Sequence, residues 1–156
     1  MANLTDLTSK EFLTELASAA PAPGGGGGAA MAGALAAALS SMVCNLTLGK
    51  EKFAAQEAEV QAVLMKAERA RERLLELVQE DAAVFNSFMS CYKLPKATDE
   101  EKAVRTAAIR AAAKKAADVP LAIARESFAV LELADELVVC GNPGVITDGA
   151  CSGLLA

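Results

Sequence analysis

The sequence predicts an all-α protein, and three observations carry that reading. No segment alternates apolar and polar residues between hairpin turns, apolar residues recur at steps of three and four over long stretches, and capping signals open two of those stretches. The expected architecture is a bundle of long helices around a central helix of small residues, one domain over residues 1–156. A chain of 156 residues buries a substantial core without disulfides. No internal repeat is evident.

Thr8-Ser9-Lys10-Glu11 is a capping box, with Leu7 and Phe12 placed as a hydrophobic staple. The first helix therefore starts near Ser9 and stops before Pro21. Pro21-Ala22-Pro23 and five consecutive glycines, Gly24 to Gly28, come next. The second helix begins in or just after these glycines and ends at Gly49, a residue suited to the position after a helix. Ala29 to Leu48 carries no charge over a span that would cross a bilayer. Ala, Gly and Ser dominate it, Asn45 and Thr47 interrupt its end, and the remaining chain is amphipathic, so the segment fits the centre of a bundle and no membrane span.

The third helix runs from about Ala54 to Tyr92, with Val60, Val63, Leu64, Ala67, Leu74, Leu77, Val78, Phe85, Phe88 and Met89 on its apolar face. After Leu94-Pro95, Thr98-Asp99-Glu100-Glu101 is a second capping box, for a helix through roughly Ala117 that Pro120 kinks or restarts. The next helix ends near Cys140, stopped by Gly141-Asn142-Pro143-Gly144. Cys151-Ser152-Gly153-Leu154-Leu155-Ala156 reads as the apolar start of a truncated C-terminal helix, with the domain lacking its last turns.

Composition narrows the chemistry. The chain has no histidine, so acid–base work near neutral pH falls to Asp, Glu, Lys, Tyr or Cys. A net charge of −5 with 4% aromatics argues against a nucleic-acid surface. Cys44, Cys91, Cys140 and Cys151 form no CxxC pair, and the N-terminus lacks a signal-peptide pattern, which together predict a cytoplasmic protein with reduced thiols.

Two features stand out as chemistry-bearing. The glycine run can take positive φ and leave its amides open to an anion at the mouth of a helix. It lacks the Gly-Lys-Ser/Thr ending and the preceding strand of a phosphate loop, and a plain linker is its other reading. Asp81 falls inside the apolar stripe of the third helix, between Leu77, Val78 and Phe85, whereas Glu80 points away. A buried carboxylate is costly unless paired or hydrogen-bonded. Spacing alone supports equally a structural pair with a neighbouring Lys or Arg and a proton-transfer group. Lys50 can complement a helix C-terminus or meet a ligand carboxylate. Asn142 and Asp148 bracket a Pro-Gly turn, with Asp148 as N-cap of the final helix. The clusters Lys66 to Arg73, Asp99 to Lys102 and Arg110 to Lys115 read as solvated faces.

Pro21-Ala22-Pro23-Gly24-Gly25-Gly26, the Ala-rich helix and Met42-Val43-Cys44-Asn45-Leu46-Thr47-Leu48-Gly49-Lys50 resemble the formiminotetrahydrofolate cyclodeaminase and methenyltetrahydrofolate cyclohydrolase family. Glu80-Asp81 with Phe85, Leu94-Pro95-Lys96, Glu101-Lys102 with Arg105, Val119-Pro120-Leu121, and Gly141-Asn142 with Asp148 continue the likeness in order. The resemblance implies a dimer-forming all-helical fold, a folate-binding cleft, and no metal or separate cofactor. It implies Asp81 as the catalytic residue and Pro23, Gly24, Gly25, Gly26, Asn45, Lys50, Asn142 and Asp148 as substrate-binding positions. Lys50 is the expected contact for the folate's anionic tail. Gly27 stands where the family commonly has Ser, and Gly149 where it commonly has Ala. The implied activity is formation of 5,10-methenyltetrahydrofolate and ammonia from formiminotetrahydrofolate. The alternatives are methenyltetrahydrofolate cyclohydrolase and a non-catalytic helical dimerisation module. The implied partners are the folate substrate, a second copy and a formiminotransferase.

Overall fold

In the computed structural model, which describes residues 3–156, the regular structure among the described residues is helical throughout. Five α-helices follow one another: α1 Ser9–Leu16, α2 Gly25–Asn45, α3 Glu57–Cys91, α4 Asp99–Cys140 and α5 Ile146–Leu155. Short 3-10 turns at Leu4–Asp6, Glu51–Gln56 and Pro143–Val145 connect or precede them. Contacts group the chain into two compact units. One joins the N-terminal stretch through Gly28 to Leu77–Ala122, and the other joins Ala29–Glu76 to Ile123–Ala156.

In the first unit both capping boxes form. Thr8 Oγ1 accepts from the Glu11 amide at 3.3 Å while the Thr8 amide donates to Glu11 Oε2 at 2.8 Å. The Thr8 hydroxyl and amide together hold the Glu11 carboxyl below its ordinary range. At α4, Thr98 Oγ1 accepts from the Glu101 amide at 3.2 Å, and Glu101 Oε2 accepts from the amides of Ala97 and Thr98 at 2.7 and 3.2 Å. Phe12 anchors α1 with 4% of its surface exposed.

The second unit holds an apolar core cluster of Val43, Cys44, Val60, Val63, Ala67, Leu133, Leu137 and Cys140. Its α2 portion buries Ala30, Gly33, Ala34, Ala36 and Ala37. A Cβ on Gly33 would stand 2.7 Å from Ser127 Oγ and 3.2 Å from both Leu74 methyls, so small residues are what lets α2 come this close to its neighbours. The α2 segment is apolar enough to cross a membrane by length and composition, with 56% of its apolar window buried in the fold, as the bundle-centre reading requires. Ser152 ties α5 to α2: its hydroxyl donates to the Ala36 carbonyl at 2.7 Å and meets Ser40 Oγ at 2.9 Å.

Several expectations are corrected. The expected break near Ala117 is absent, for α4 continues through Pro120 as one helix of 42 residues. Proline there removes an amide and costs roughly 3 kcal/mol. Buried Val119 and Ile123 on either side of it hold the helix in place. The third helix is preceded by a 3-10 turn and starts at Glu57 in place of Ala54. Along it the apolar face is buried through Ala82, but Phe85 and Met89 are 38% and 44% exposed, because periodicity reports a face and not what covers it. Asp148 does not cap α5. The helix starts at Ile146 after Val145, and Asp148 sits in its first turn, where a negative charge still complements the dipole. The second helix ends at Asn45 and not at the expected Gly49, which lies at the end of the turn that follows, with φ +70.

Candidate active site

The site grows from an unmet need at the start of α2. The first amides of a helix have no intrahelical acceptor, and a side chain at the N-cap usually supplies one. Gly24 occupies that position and has no side chain. The acceptor comes from α3, because Asp81 Oδ2 takes the Gly27 amide at 2.9 Å, across 54 residues of sequence. A carboxylate thus sits on the positive end of a helix, held by a charge-assisted hydrogen bond. Its other oxygen, Oδ1, accepts no hydrogen bond among the described residues, and Asp81 is half-buried.

The glycines serve this contact by lacking Cβ and not by an unusual backbone. No residue of the run Gly24 to Gly28 has positive φ, contrary to the expectation of a left-handed loop; Gly25 to Gly28 are the first turn of α2. A Cβ on Gly26 would lie 2.6 Å from Asp81 Cγ and 2.8 Å from Oδ2, whereas one on Gly24 or Gly25 would meet nothing within 4 Å. Gly27 is buried, and a Cβ there would stand 3.5 Å from the buried Pro23 ring and 3.8 Å from Asp81 Oδ2. Pro23 follows a cis peptide bond and packs beside this turn.

Pro23, Gly24, Gly25, Gly26 and Asp81 therefore come together in the first unit. Asn45, Lys50, Asn142 and Asp148 belong to the second. Asn45 is the last residue of α2 and exposed, and Lys50, also exposed, precedes the 3-10 turn at Glu51–Gln56. Asn142 is engaged in the fold at three atoms. Its Oδ1 accepts from the Gly144 amide at 2.9 Å, its Nδ2 donates to the Leu46 carbonyl at 3.1 Å, and its amide donates to Thr47 Oγ1 at 2.9 Å.

Two contributors escaped the sequence reading. Gly27 is the residue whose amide holds Asp81, and a backbone donor leaves no mark in a sequence beyond the glycine run itself. Thr47 is buried and links the Val43 carbonyl to the Asn142 amide. A polar residue at the end of an apolar helix was its one visible signal.

The buried thiols of Cys44 and Cys140 drop out as acid–base groups. Burial, then the neighbouring Cys140, pushes Cys44 from its ordinary 9.0 to about 12, and burial raises Cys140 as well. Among the described residues no cluster of Cys, Asp or Glu is arranged to hold a metal ion.

Comparison with known proteins places the chain. The formiminotransferase-cyclodeaminase family model matches residues 8–156. A methenyltetrahydrofolate cyclohydrolase of Methylorubrum extorquens is 49% identical over 149 residues, covering 96% of this chain and 72% of the relative. A formimidoyltransferase-cyclodeaminase of Sus scrofa is 36% identical over 133 residues, and there the chain spans 25% of the relative's length. The crystal structure of formiminotetrahydrofolate cyclodeaminase from Thermotoga maritima superposes with a TM-score of 0.84 at 30% identity, covering 97% of this chain and 72% of that one. On these matches, and with its all-helical fold, the chain belongs to the formiminotransferase-cyclodeaminase family.

Proposed function

We propose that the chain is a tetrahydrofolate one-carbon enzyme that hydrolyses 5,10-methenyltetrahydrofolate to 10-formyltetrahydrofolate, with Asp81 as its proton-transfer group. The observation that carries the reaction is the 49% identity to a cyclohydrolase across 96% of the chain. The substrate's methenyl carbon, between N5 and N10, bears a positive charge that an anionic carboxylate attracts. Water adds to this carbon, and Asp81 accepts one proton as the C–O bond forms. The tetrahedral intermediate then collapses: N5 takes the proton from Asp81, the C–N5 bond breaks, and the hydroxyl proton leaves to solvent as the formyl carbonyl forms on N10. One water is consumed and one proton released, which balances conversion of a cation to a neutral formyl compound. Gly27 fixes Oδ2 and leaves Oδ1 to exchange the proton. Such acid–base assistance contributes about two to four orders of magnitude in rate.

A second reading, formiminotetrahydrofolate cyclodeaminase, is favoured by the match to the Thermotoga maritima structure. There Asp81 would accept the N10 proton as N10 attacks the formimino carbon, and return it to the departing ammonia. Purified protein offered each substrate separates the two, by decay of the methenyl chromophore or by release of ammonia. Asp81→Asn keeps the volume and an acceptor for Gly27 but removes the proton carrier. Unchanged circular dichroism with a rate lowered about 100-fold or more is expected, and near wild-type turnover would refute Asp81. A non-catalytic module would show no turnover of either substrate; folate-dependent thermal stabilisation without turnover would favour it.

The same reading includes a homodimer in the cytoplasm, working without metal or separate cofactor, alongside a formiminotransferase. Exposed Phe128, Leu131 and Val138 along α4 support a second copy. Sedimentation at micromolar concentration tests it, and a monomer would refute it.

A further inference from the structure

Beyond Asp81, the apolar face of α3 turns aromatic and emerges from the core. Phe85, Phe88 and Tyr92 stand four, seven and eleven residues past Asp81. At about 100° per residue, each points within roughly 40° of the Asp81 direction. Phe85 and Tyr92 are 38% and 45% exposed. Phe88 meets Tyr92 edge to face with ring centroids 5.3 Å apart.

A guanidinium closes the far end of this track. Arg105, from α4, lies over the Tyr92 ring at 5.4 Å. Its Nη2 donates to the Tyr92 carbonyl at 3.4 Å, the long end of hydrogen-bond range. Its Nε is sealed from solvent and has no hydrogen-bond partner among the described residues. Glu101, one turn earlier, uses its Oε2 on the amides of Ala97 and Thr98. With Nε sealed and Nη2 on the Tyr92 carbonyl, Nη1 of this half-buried, ring-stacked guanidinium makes no hydrogen bond among the described residues and is the atom suited to a carboxylate.

We propose that Arg105 binds the glutamyl carboxylates of the folate substrate, with the aminobenzoyl ring lying along Phe85, Phe88 and Tyr92 and the one-carbon bridge at Asp81. This rests on the reading under Proposed function and transfers to Arg105 the task expected of Lys50. The distances agree. Tyr92, the residue after α3 ends, stands eleven residues past Asp81, or about 16 Å along the helix direction. From bond lengths, an extended folate reaches roughly 10–12 Å from its one-carbon bridge to its glutamyl carboxylates. A contact of about 3 Å at each end makes up the difference. Aromatic faces along the path match a flat ring that must be held without being reacted.

The test compares 5,10-methenyltetrahydrofolate with 5,10-methenyltetrahydropteroate, which lacks the glutamate, in wild type, Arg105→Gln and Arg105→Lys. Arg105→Gln is expected to raise KM for the folate about 10- to 100-fold, the worth of a charge-assisted hydrogen bond, with kcat within about threefold. KM for the pteroate should move less than about twofold in the same protein. Arg105→Lys should recover part of the loss, since charge remains but the fork does not. If Arg105→Gln fails to fold, Arg105→Lys decides, with a rise in KM of at least about threefold expected for the folate alone. Equal changes for both substrates, or none for either, would overturn the tail site while wild-type turnover leaves the reaction standing. A wild-type protein that neither binds nor converts 5,10-methenyltetrahydrofolate would overturn both.

Discussion

Substituting alanine at Gly26 puts a methyl group where the Asp81 carboxylate lies. The added carbon would stand 2.6 Å from Asp81 Cγ and 2.8 Å from Oδ2, against the roughly 3.5 Å that non-bonded contact requires. The carboxyl group must retreat by about 1 Å, which takes the 2.9 Å bond from the Gly27 amide beyond hydrogen-bond range. Losing a bond to a charged acceptor costs about 1.5–3 kcal/mol. Alanine in place of glycine in a helical turn returns at most about 1 kcal/mol. The net loss of about 0.5–2 kcal/mol corresponds to a fall in Tm of roughly 2–6 °C for a chain of this size. Activity should suffer far more, because displacing a reacting group by about 1 Å costs on the order of 100-fold. The neighbouring Gly25→Ala is the control: its Cβ meets nothing within 4 Å. It should leave kcat within about twofold and stability unchanged or raised by up to about 1 kcal/mol. Steady-state kinetics and thermal melts on the two variants settle the matter. A Gly26→Ala enzyme with wild-type kcat, or a Gly25→Ala enzyme equally impaired, would refute the geometry.

Thr47→Val should cost about 1–3 kcal/mol in a urea titration, because it leaves the Val43 carbonyl and the Asn142 amide without the hydroxyl that joins them; an unchanged midpoint would show that other groups take over. Native protein at pH 8 should be alkylated at exposed Cys151 and spared at Cys44, whose thiol is pushed up to about 12. Because the folded-state value is raised, Cys44 contributes stability that is intact below its ordinary 9.0 and is lost as pH rises from there through about 12. Cys44→Ala should flatten that decline, and labelling of Cys44 as fast as Cys151 would contradict its burial.

Where side-chain chemistry acts locally, it was legible in the linear sequence. Thr8 with Glu11 and Thr98 with Glu101 form the capping boxes their spacing predicts, since a cap is decided within four residues. Small residues from Ala29 onward announced a helix that others approach closely, and Asp81 betrayed itself by interrupting an apolar stripe. Pro120 misled, because its local cost is outweighed by burial on both sides that no local pattern reports.

What the sequence by itself determined is the helical class, the two helix starts marked by capping boxes and the identity of one unusual carboxylate, all functions of residue type and period. Only the tertiary structure decided which glycine matters and why. Gly25 and Gly26 are identical in the chain, yet one faces open space and the other faces Asp81. The same holds for Phe85 and Met89, whose period marks a core face while the fold leaves them partly exposed. Period fixes the direction in which a side chain points; what it meets there depends on residues brought in from elsewhere in the chain, and that information exists only once the helices have packed.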